Sequence, residues 1–146
     1  MKVLTFSKVF PKKHINAGEP TNFKEKILSG EKIHTIREDS TDRWRKGMKI
    51  HFATGIRTTN YNCFKEGECI NTQKIEFKWK SVNVGKPSED WEVTILIDNI
   101  MLNDINTINE LAKNDGFKDI KEFLEWEGWH KKNFKGKIIH FTKKMY

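Results

Sequence analysis

The residues with the clearest chemical potential are Lys32, Thr35 and Arg37, which lie within one short segment of the chain. A lysine held against apolar residues or beside a second cation is disfavoured in its ammonium form, so its pKa falls and it can act as a base. Such a lysine can take the proton of a neighbouring threonine hydroxyl, which then attacks an acyl carbon. The segment therefore predicts a lysine-activated nucleophile with an arginine beside it.

The same segment also has a purely structural interpretation. Residues 32–37 alternate in polarity with a period of two, which predicts a β-strand. In that case Lys32 and Arg37 are solvated strand charges, and Thr35 is simply a good strand former. Alternation also places Lys32 and His34 on one face and Thr35 on the other, unless a turn or bulge intervenes. The residues alone leave both interpretations open.

Three short helices are predicted from capping residues and apolar spacing. The first follows Asn22 and ends at Gly30, so it leads directly into the segment that carries the lysine. The others follow Thr107 and Asp119, because a glutamate stands three residues after each and completes a capping box. The third helix is expected to fade near Gly128.

Strands are predicted wherever apolar residues alternate with polar ones. Besides 32–37, these runs are 3–6, 48–52, 74–79, 91–97 and 137–142. Residues 7–20 are predicted to form a loop, and residues 54–71 an exposed hairpin or flap. Five or more strands interrupted by short helices predict an α+β domain built on a small, mostly antiparallel barrel.

The segment from Gly30 to Arg37, G-E-K-I-H-T-I-R, resembles the G-x-K-x-x-[ET]-x-R signature of the ASCH domain family. Domains of this family have a PUA-like barrel. Threonine at position 35 makes the segment similar in particular to the small bacterial amidohydrolases that remove the acetyl group from N4-acetylcytidine. The resemblance covers 23–53 and 107–142, and it implies a single ASCH-type domain over residues 1–146 with an insertion at about 54–71.

The resemblance implies a catalytic set of a lysine, a threonine and an acidic residue. Lys32 is then the general base and Thr35 the nucleophile. Asp115, in the segment between the last two predicted helices, matches the acidic position and would help to pass a proton to the departing amine. The expected reaction is a metal-independent amide hydrolysis.

Substrate contacts are expected from three further residues of the motif. Arg37, or a backbone N–H near Gly30, would stabilise an oxyanion, and His34 lies between the lysine and the threonine. We predict no metal and no other cofactor, since the five histidines have no short ligand spacing.

A second group of residues predicts contact with nucleic acid. Trp44 is flanked by Arg43, Arg45 and Lys46, and an indole among cations can stack a base while the charges hold phosphate. Arg57, in the predicted insertion, is a further candidate. The alternative is that Trp44 covers the edge of the barrel.

Charge and composition indicate which ligands and which cellular compartment suit this protein. The net charge is +7, and residues 1–73, with 14 basic and 8 acidic residues, hold +6 of it. Such a field favours polyanions or phosphate-bearing ligands. Cys63 and Cys69 lack a zinc-site pattern and are predicted to be free thiols. The first eight residues lack the apolar run of a signal peptide, so we expect a cytoplasmic protein without a membrane span.

These observations predict a nucleoside- or RNA-base-binding domain, with deacylation of N4-acetylcytidine-like nucleosides as its enzymatic form. The alternative is a non-catalytic RNA-binding module, because fold does not fix function and the charge suits both. A third interpretation is an adaptor that binds a protein partner through the predicted flap.

Overall fold

The computed structural model describes residues 2–82, 85, 90–126 and 132–146, and it is an α+β fold made mostly of strands. Its elements in chain order are β1 (Lys2–Thr5), α1 (Phe23–Ser29), β2 (His34–Glu38), β3 (Lys49–Thr54), β4 (Asn62–Glu68), β5 (Asn71–Val82), β6 (Asp90–Ile97), β7 (Ile100–Met101), α2 (Ile105–Asn114), α3 (Ile120–Leu124) and β8 (Phe134–His140). No helix in the described ranges is long and apolar enough to cross a bilayer.

The strands form two sheets rather than one closed barrel. One has the order β1-β3-β4, and the other has the order β2-β8-β5-β6-β7. Every described pairing is antiparallel except that of β1 with β3, which is parallel. The predicted α+β class is confirmed. Within the described residues neither sheet closes on itself, because β1 and β4 are the edge strands of one sheet and β2 and β7 are the edge strands of the other.

The predicted insertion at 54–71 contains a regular strand. Residues 62–68 form β4, which pairs with β3 through a register shift between Phe52 and Ala53. Gly67 lies against Phe52, and a Cβ on Gly67 would meet the ring at 2.8 Å. The fully buried Phe52 ring therefore needs a glycine at that point of β4. The remaining loop covers only 55–61.

The helix ends differ in part from their predicted caps. Gly30 ends α1 in a left-handed conformation, with φ of +82°, as glycine does most readily. Asn22 does not cap α1, because it is itself left-handed and makes no side-chain cap. The cap of α2 is Asp104 rather than Thr107, whereas Asp119 caps α3 as predicted. The predicted end of α3 near Gly128 lies outside the described residues.

The end of α2 lies against the end of α1, and this contact builds the site. The backbone N–H of Ile33 donates to the Asn114 carbonyl at 2.9 Å. The Lys26 ammonium donates to the Gly116 carbonyl at 2.7 Å. The chain between α1 and β2 is thereby held beside the residues that follow α2.

Both cysteines are free thiols, as predicted. Cys69 is buried, and burial raises the pKa of its thiol to about 11. A thiol with such a pKa stays protonated near neutral pH and is a poor nucleophile. Cys69 therefore contributes packing rather than chemistry.

Candidate functional site

Lys32 lies just before β2 rather than within it. The strand begins at His34, and the Lys32 N–H donates to the Lys26 carbonyl at 2.9 Å as the chain leaves α1. Strand alternation therefore does not constrain Lys32. Lys32 and Thr35 both line one cavity, although alternation along a continuous strand would place them on opposite faces.

The Lys32 ammonium is bound to Asp115, 83 residues away in the sequence. Lys32 Nζ donates to Asp115 Oδ1 at 2.9 Å and to the Asp115 carbonyl at 2.5 Å. The two residues are only 3% and 2% exposed. The Lys32 ammonium also lies 4.7 Å from the centre of the Phe23 ring, within the range of a cation–π contact.

Burial is the main influence on the protonation of Lys32. It lowers the pKa of the ammonium, and the nearby charges of Arg37 and Lys26 lower it further. Asp115 opposes them, because its carboxylate stabilises the charged form. The net direction is downward, which is the direction that a general base requires.

Thr35 brings a hydroxyl to the same cavity. It lies in β2 opposite Ile139 of β8 and is 5% exposed. A β-branched residue is well suited to this buried strand position. The sheet therefore fixes the backbone that carries the proposed nucleophile.

The cavity has a volume of about 440 Å³, within the range of small-molecule sites. Part of its wall is aromatic, from side chains that the sequence did not single out: Phe6, Phe23, Phe117 and Trp126. The loop between β3 and β4 adds Gly55, Ile56, Thr58 and Asn60. A flat heteroaromatic ring with polar substituents matches such a wall.

Arg37 also lines the cavity. Its Nη2 donates to the Thr5 carbonyl at 2.5 Å, and its guanidinium lies 5.3 Å from the centre of the Phe6 ring. Burial lowers the pKa of the guanidinium, and the charge of Asp115 partly offsets this. Arginine still stays charged, so the cavity contains a second cation beside Lys32.

Two of the predicted substrate contacts do not line the cavity. His34 is fully buried, and its Nδ1 lies 3.3 Å from Asp115 Oδ1, so it adjoins the acidic residue instead of the cavity. Gly30 ends α1 with open space around its Cα, and it is absent from the cavity wall.

The predicted nucleic-acid residues lie apart from the cavity wall. Trp44 is only 4% exposed and packs in the core, so its indole offers no open face for stacking a base. Arg43, Arg45 and Lys46 are exposed, although Arg45 forms an ion pair with Asp42 at 3.3 Å. The cations remain a predicted phosphate-binding surface.

Arg57 is also exposed, at the loop that contributes to the cavity wall. Its backbone is left-handed, with φ of +58°. The preceding turn is tight, since a Cβ on Gly55 would meet the Asn60 carbonyl oxygen at 2.5 Å. The glycine that begins this turn predicts a tight loop but not that the loop reaches the site.

Comparison of the chain with protein-family models, with curated proteins and with solved structures finds no match.

Proposed function

We propose that the chain is an ASCH-like domain of PUA-like architecture that hydrolyses the amide of an acylated cytosine nucleoside such as N4-acetylcytidine. One observation carries the proposal: the buried residues Lys32, Thr35 and Asp115 line one cavity, with Lys32 Nζ 2.9 Å from Asp115 Oδ1. A base, a hydroxyl and a carboxylate are the groups that a metal-free acyl transfer needs. We place this activity in the cytoplasm, where free thiols are usual.

The mechanism uses two acyl transfers. In the first, neutral Lys32 takes the Thr35 hydroxyl proton as the oxygen attacks the acyl carbon, and the C–N bond then breaks. Asp115 helps to pass the proton from Lys32 to the departing exocyclic amine, which leaves as the free nucleoside. In the second, water attacks the Thr35 ester and gives a proton to Lys32. The bond between Thr35 Oγ and the acyl carbon then breaks, Lys32 returns the proton to Thr35 Oγ, and the carboxylic acid is released.

Arg37 is the group best suited to stabilise the oxyanion of each tetrahedral intermediate. It is cationic, it is half-buried in the cavity wall, and its position is fixed by the bond to the Thr5 carbonyl. A preorganised donor in a site of low dielectric typically contributes about 10²- to 10³-fold in kcat.

Replacing Lys32 tests the proposed base. Lys32→Met keeps the length of the aliphatic chain but removes the amine, so N4-acetylcytidine hydrolysis is expected to fall by at least about 100-fold. Turnover is followed by chromatography of released cytidine, and circular dichroism verifies folding. Lys80→Met, on an exposed strand position away from the cavity, is the matched control and keeps the wild-type rate. Wild-type turnover by Lys32→Met would contradict the mechanism.

A non-catalytic RNA-binding module is the second candidate. It is favoured by the exposed cluster of Arg43, Arg45 and Lys46 and by the +6 charge of residues 1–73. Contacts from such side chains to phosphate release counterions, so this function predicts an affinity that falls steeply with salt. Hydrolysis of a free nucleoside has no such dependence.

A further inference from the structure

A chain of polar side chains adjoins Asp115 without lining the cavity. His34 Nδ1 lies 3.3 Å from Asp115 Oδ1, and His34 Nε2 lies 2.7 Å from the Tyr146 hydroxyl oxygen. Asn114 Nδ2 lies 2.8 Å from the same hydroxyl. Buried polar groups need hydrogen-bond partners, and in this chain each side chain is the partner of the next one.

The donors and acceptors of this chain fix the tautomer of His34. The Asn114 amide nitrogen can only donate, so the Tyr146 oxygen accepts from it. On the other side of the ring the Asp115 carboxylate accepts at Nδ1, so His34 Nε2 is left to accept the Tyr146 proton. An Nε2 that accepts leaves the proton of a neutral imidazole on Nδ1. His34 Nδ1 therefore donates to the Asp115 carboxylate.

Protonation agrees with this assignment. Burial lowers the pKa of His34, which keeps the imidazole neutral near pH 7. Burial also raises the pKa of Tyr146, so its hydroxyl keeps the proton that it donates.

Tyr146 is itself held in place by the buried Gln73. The Tyr146 N–H donates to Gln73 Oε1 at 3.0 Å, and Gln73 Nε2 donates to the Tyr146 backbone oxygen at 2.9 Å. Gln73 is oriented in turn by Asp98, whose Oδ2 accepts from Gln73 Nε2 at 3.0 Å, and by His140 Nε2, 3.0 Å from Gln73 Oε1. The aromatic hydroxyl therefore reaches His34 from an anchored backbone.

We propose that His34 and Tyr146 are positioning residues for the hydrolysis, and this inference rests on the proposed function. Asp115 Oδ1 accepts from Lys32 Nζ at 2.9 Å and from His34 Nδ1 at 3.3 Å. With two donors on one oxygen, the carboxylate cannot turn away from Lys32 without losing both. Tyr146 does not contact Asp115 itself. It acts through His34, because its hydroxyl favours the His34 tautomer that donates to Asp115.

Nuclear magnetic resonance of the full chain tests the tautomer without any assay of activity. The ring nitrogens of His34 are observed after ¹⁵N labelling at pH 7. The inference expects a proton on Nδ1 and none on Nε2, and in Tyr146→Phe it expects this preference to weaken. A wild-type His34 that carries its proton on Nε2, or on both nitrogens, overturns the inference.

Kinetics test the consequence for catalysis. Tyr146→Phe removes only the hydroxyl, so kcat for N4-acetylcytidine is expected to fall by about 10-fold, with KM changed by less than about twofold. His34→Asn retains an amide donor near the position of Nδ1, whereas His34→Leu retains none. The asparagine variant is therefore expected to keep a higher kcat than the leucine variant.

The two sets of measurements separate the possible failures. Wild-type kcat in Tyr146→Phe, or equal kcat in folded His34→Asn and His34→Leu, overturns the positioning role while the hydrolase stands. Absence of turnover in the wild-type chain overturns the proposed function and, with it, the catalytic role of His34 and Tyr146. The ¹⁵N spectrum then still decides whether His34 donates to Asp115.

Discussion

Burial and the neighbouring carboxylate have opposite effects on the pKa of Lys32. Taking an ammonium out of water disfavours its charge, while the Asp115 carboxylate at 2.9 Å favours it. In a buried pair, removal of one partner typically costs about 3–5 kcal/mol, because the other is left uncompensated. Lys32 and Asp115 are therefore expected to be coupled in both stability and activity.

Asp115→Asn tests the acidic residue. The substitution preserves the shape of the side chain but removes the carboxylate, so kcat for N4-acetylcytidine is expected to fall by about 100-fold or more, with a much smaller change in KM. Steady-state kinetics measures both constants. Asp104→Asn, at the opposite end of α2, is the control, because asparagine caps a helix about as well as aspartate. An unchanged kcat with a lower melting temperature would make Asp115 a structural residue only.

The residues of the motif could be found from sequence because they are local. Lys32, Thr35 and Arg37 stand within six positions of one another, and all three line the cavity. Asp115 was assigned only by the family resemblance, because no periodicity connects residues 83 positions apart. Tyr146 had no signal at all, since its contact with His34 exists only after the strands have paired.

At the scale of elements, the site depends on how α1 and α2 end. Gly116, just after α2, has φ of +93°, and a Cβ there would meet Lys32 Cδ at 3.0 Å and the Phe23 ring at 3.2 Å. The glycine is therefore required by its conformation and by the close approach of the lysine.

Gly116→Ala is expected to affect both stability and activity. A left-handed alanine costs about 1–2 kcal/mol, and its methyl group also displaces Lys32. Gly18→Ala is the matched control, because Gly18 has φ of +81° but nothing within 4 Å of its would-be Cβ. Chemical denaturation and N4-acetylcytidine turnover are measured for both. Equal loss of turnover in the two variants would mean that the methyl group does not act through Lys32.

Strands with clear alternation were predictable from sequence, and the others were not. In the first part of β3, buried Ile50 and Phe52 alternate with the more exposed Lys49 and His51, so this pattern indicated a strand. β4 has no fully buried residue and contains Gly67, so its composition resembled a loop. Whether the strands form one barrel or two sheets depends on which distant strands pair, and local alternation does not encode that pairing.

At the scale of the whole molecule, buried histidines connect pH to stability. His140 is fully buried, and burial lowers its pKa to about 4 from an ordinary value of 6.5. Burial lowers the pKa of His34 as well. Below about pH 6.5 these histidines therefore bind protons in the unfolded chain but not in the folded chain. The free energy of unfolding consequently decreases as the pH falls toward 4.

Acid should therefore destabilise the chain in a defined window. The free energy of unfolding is expected to be highest above about pH 6.5 and to fall by up to about 1.4 kcal/mol per pH unit for each of His34 and His140. Urea denaturation at pH 7, 6 and 5 measures the slope, and His140→Leu is expected to reduce it. A free energy of unfolding that stays constant from pH 7 to pH 5 would contradict this assignment.

The charge of the whole chain bears on the choice between hydrolase and RNA-binding module. Residues 1–73 hold +6 of the net +7. Within this part, Arg43, Arg45 and Lys46 are exposed and do not line the cavity. A free nucleoside has no phosphate for these cations to hold, whereas an RNA strand has many. Salt therefore separates chemistry in the cavity from binding at the surface.

The most direct measurement is turnover of N4-acetylcytidine by the wild-type chain from about 50 to 200 mM salt, with RNA affinity measured on the same preparation. We predict release of cytidine and acetate, with a kcat/KM that changes little over this range and is lost in Lys32→Met. Absence of turnover at every salt concentration, together with RNA binding that weakens with a log–log slope of about −0.7 per phosphate contact, would contradict the hydrolase and select the RNA-binding module.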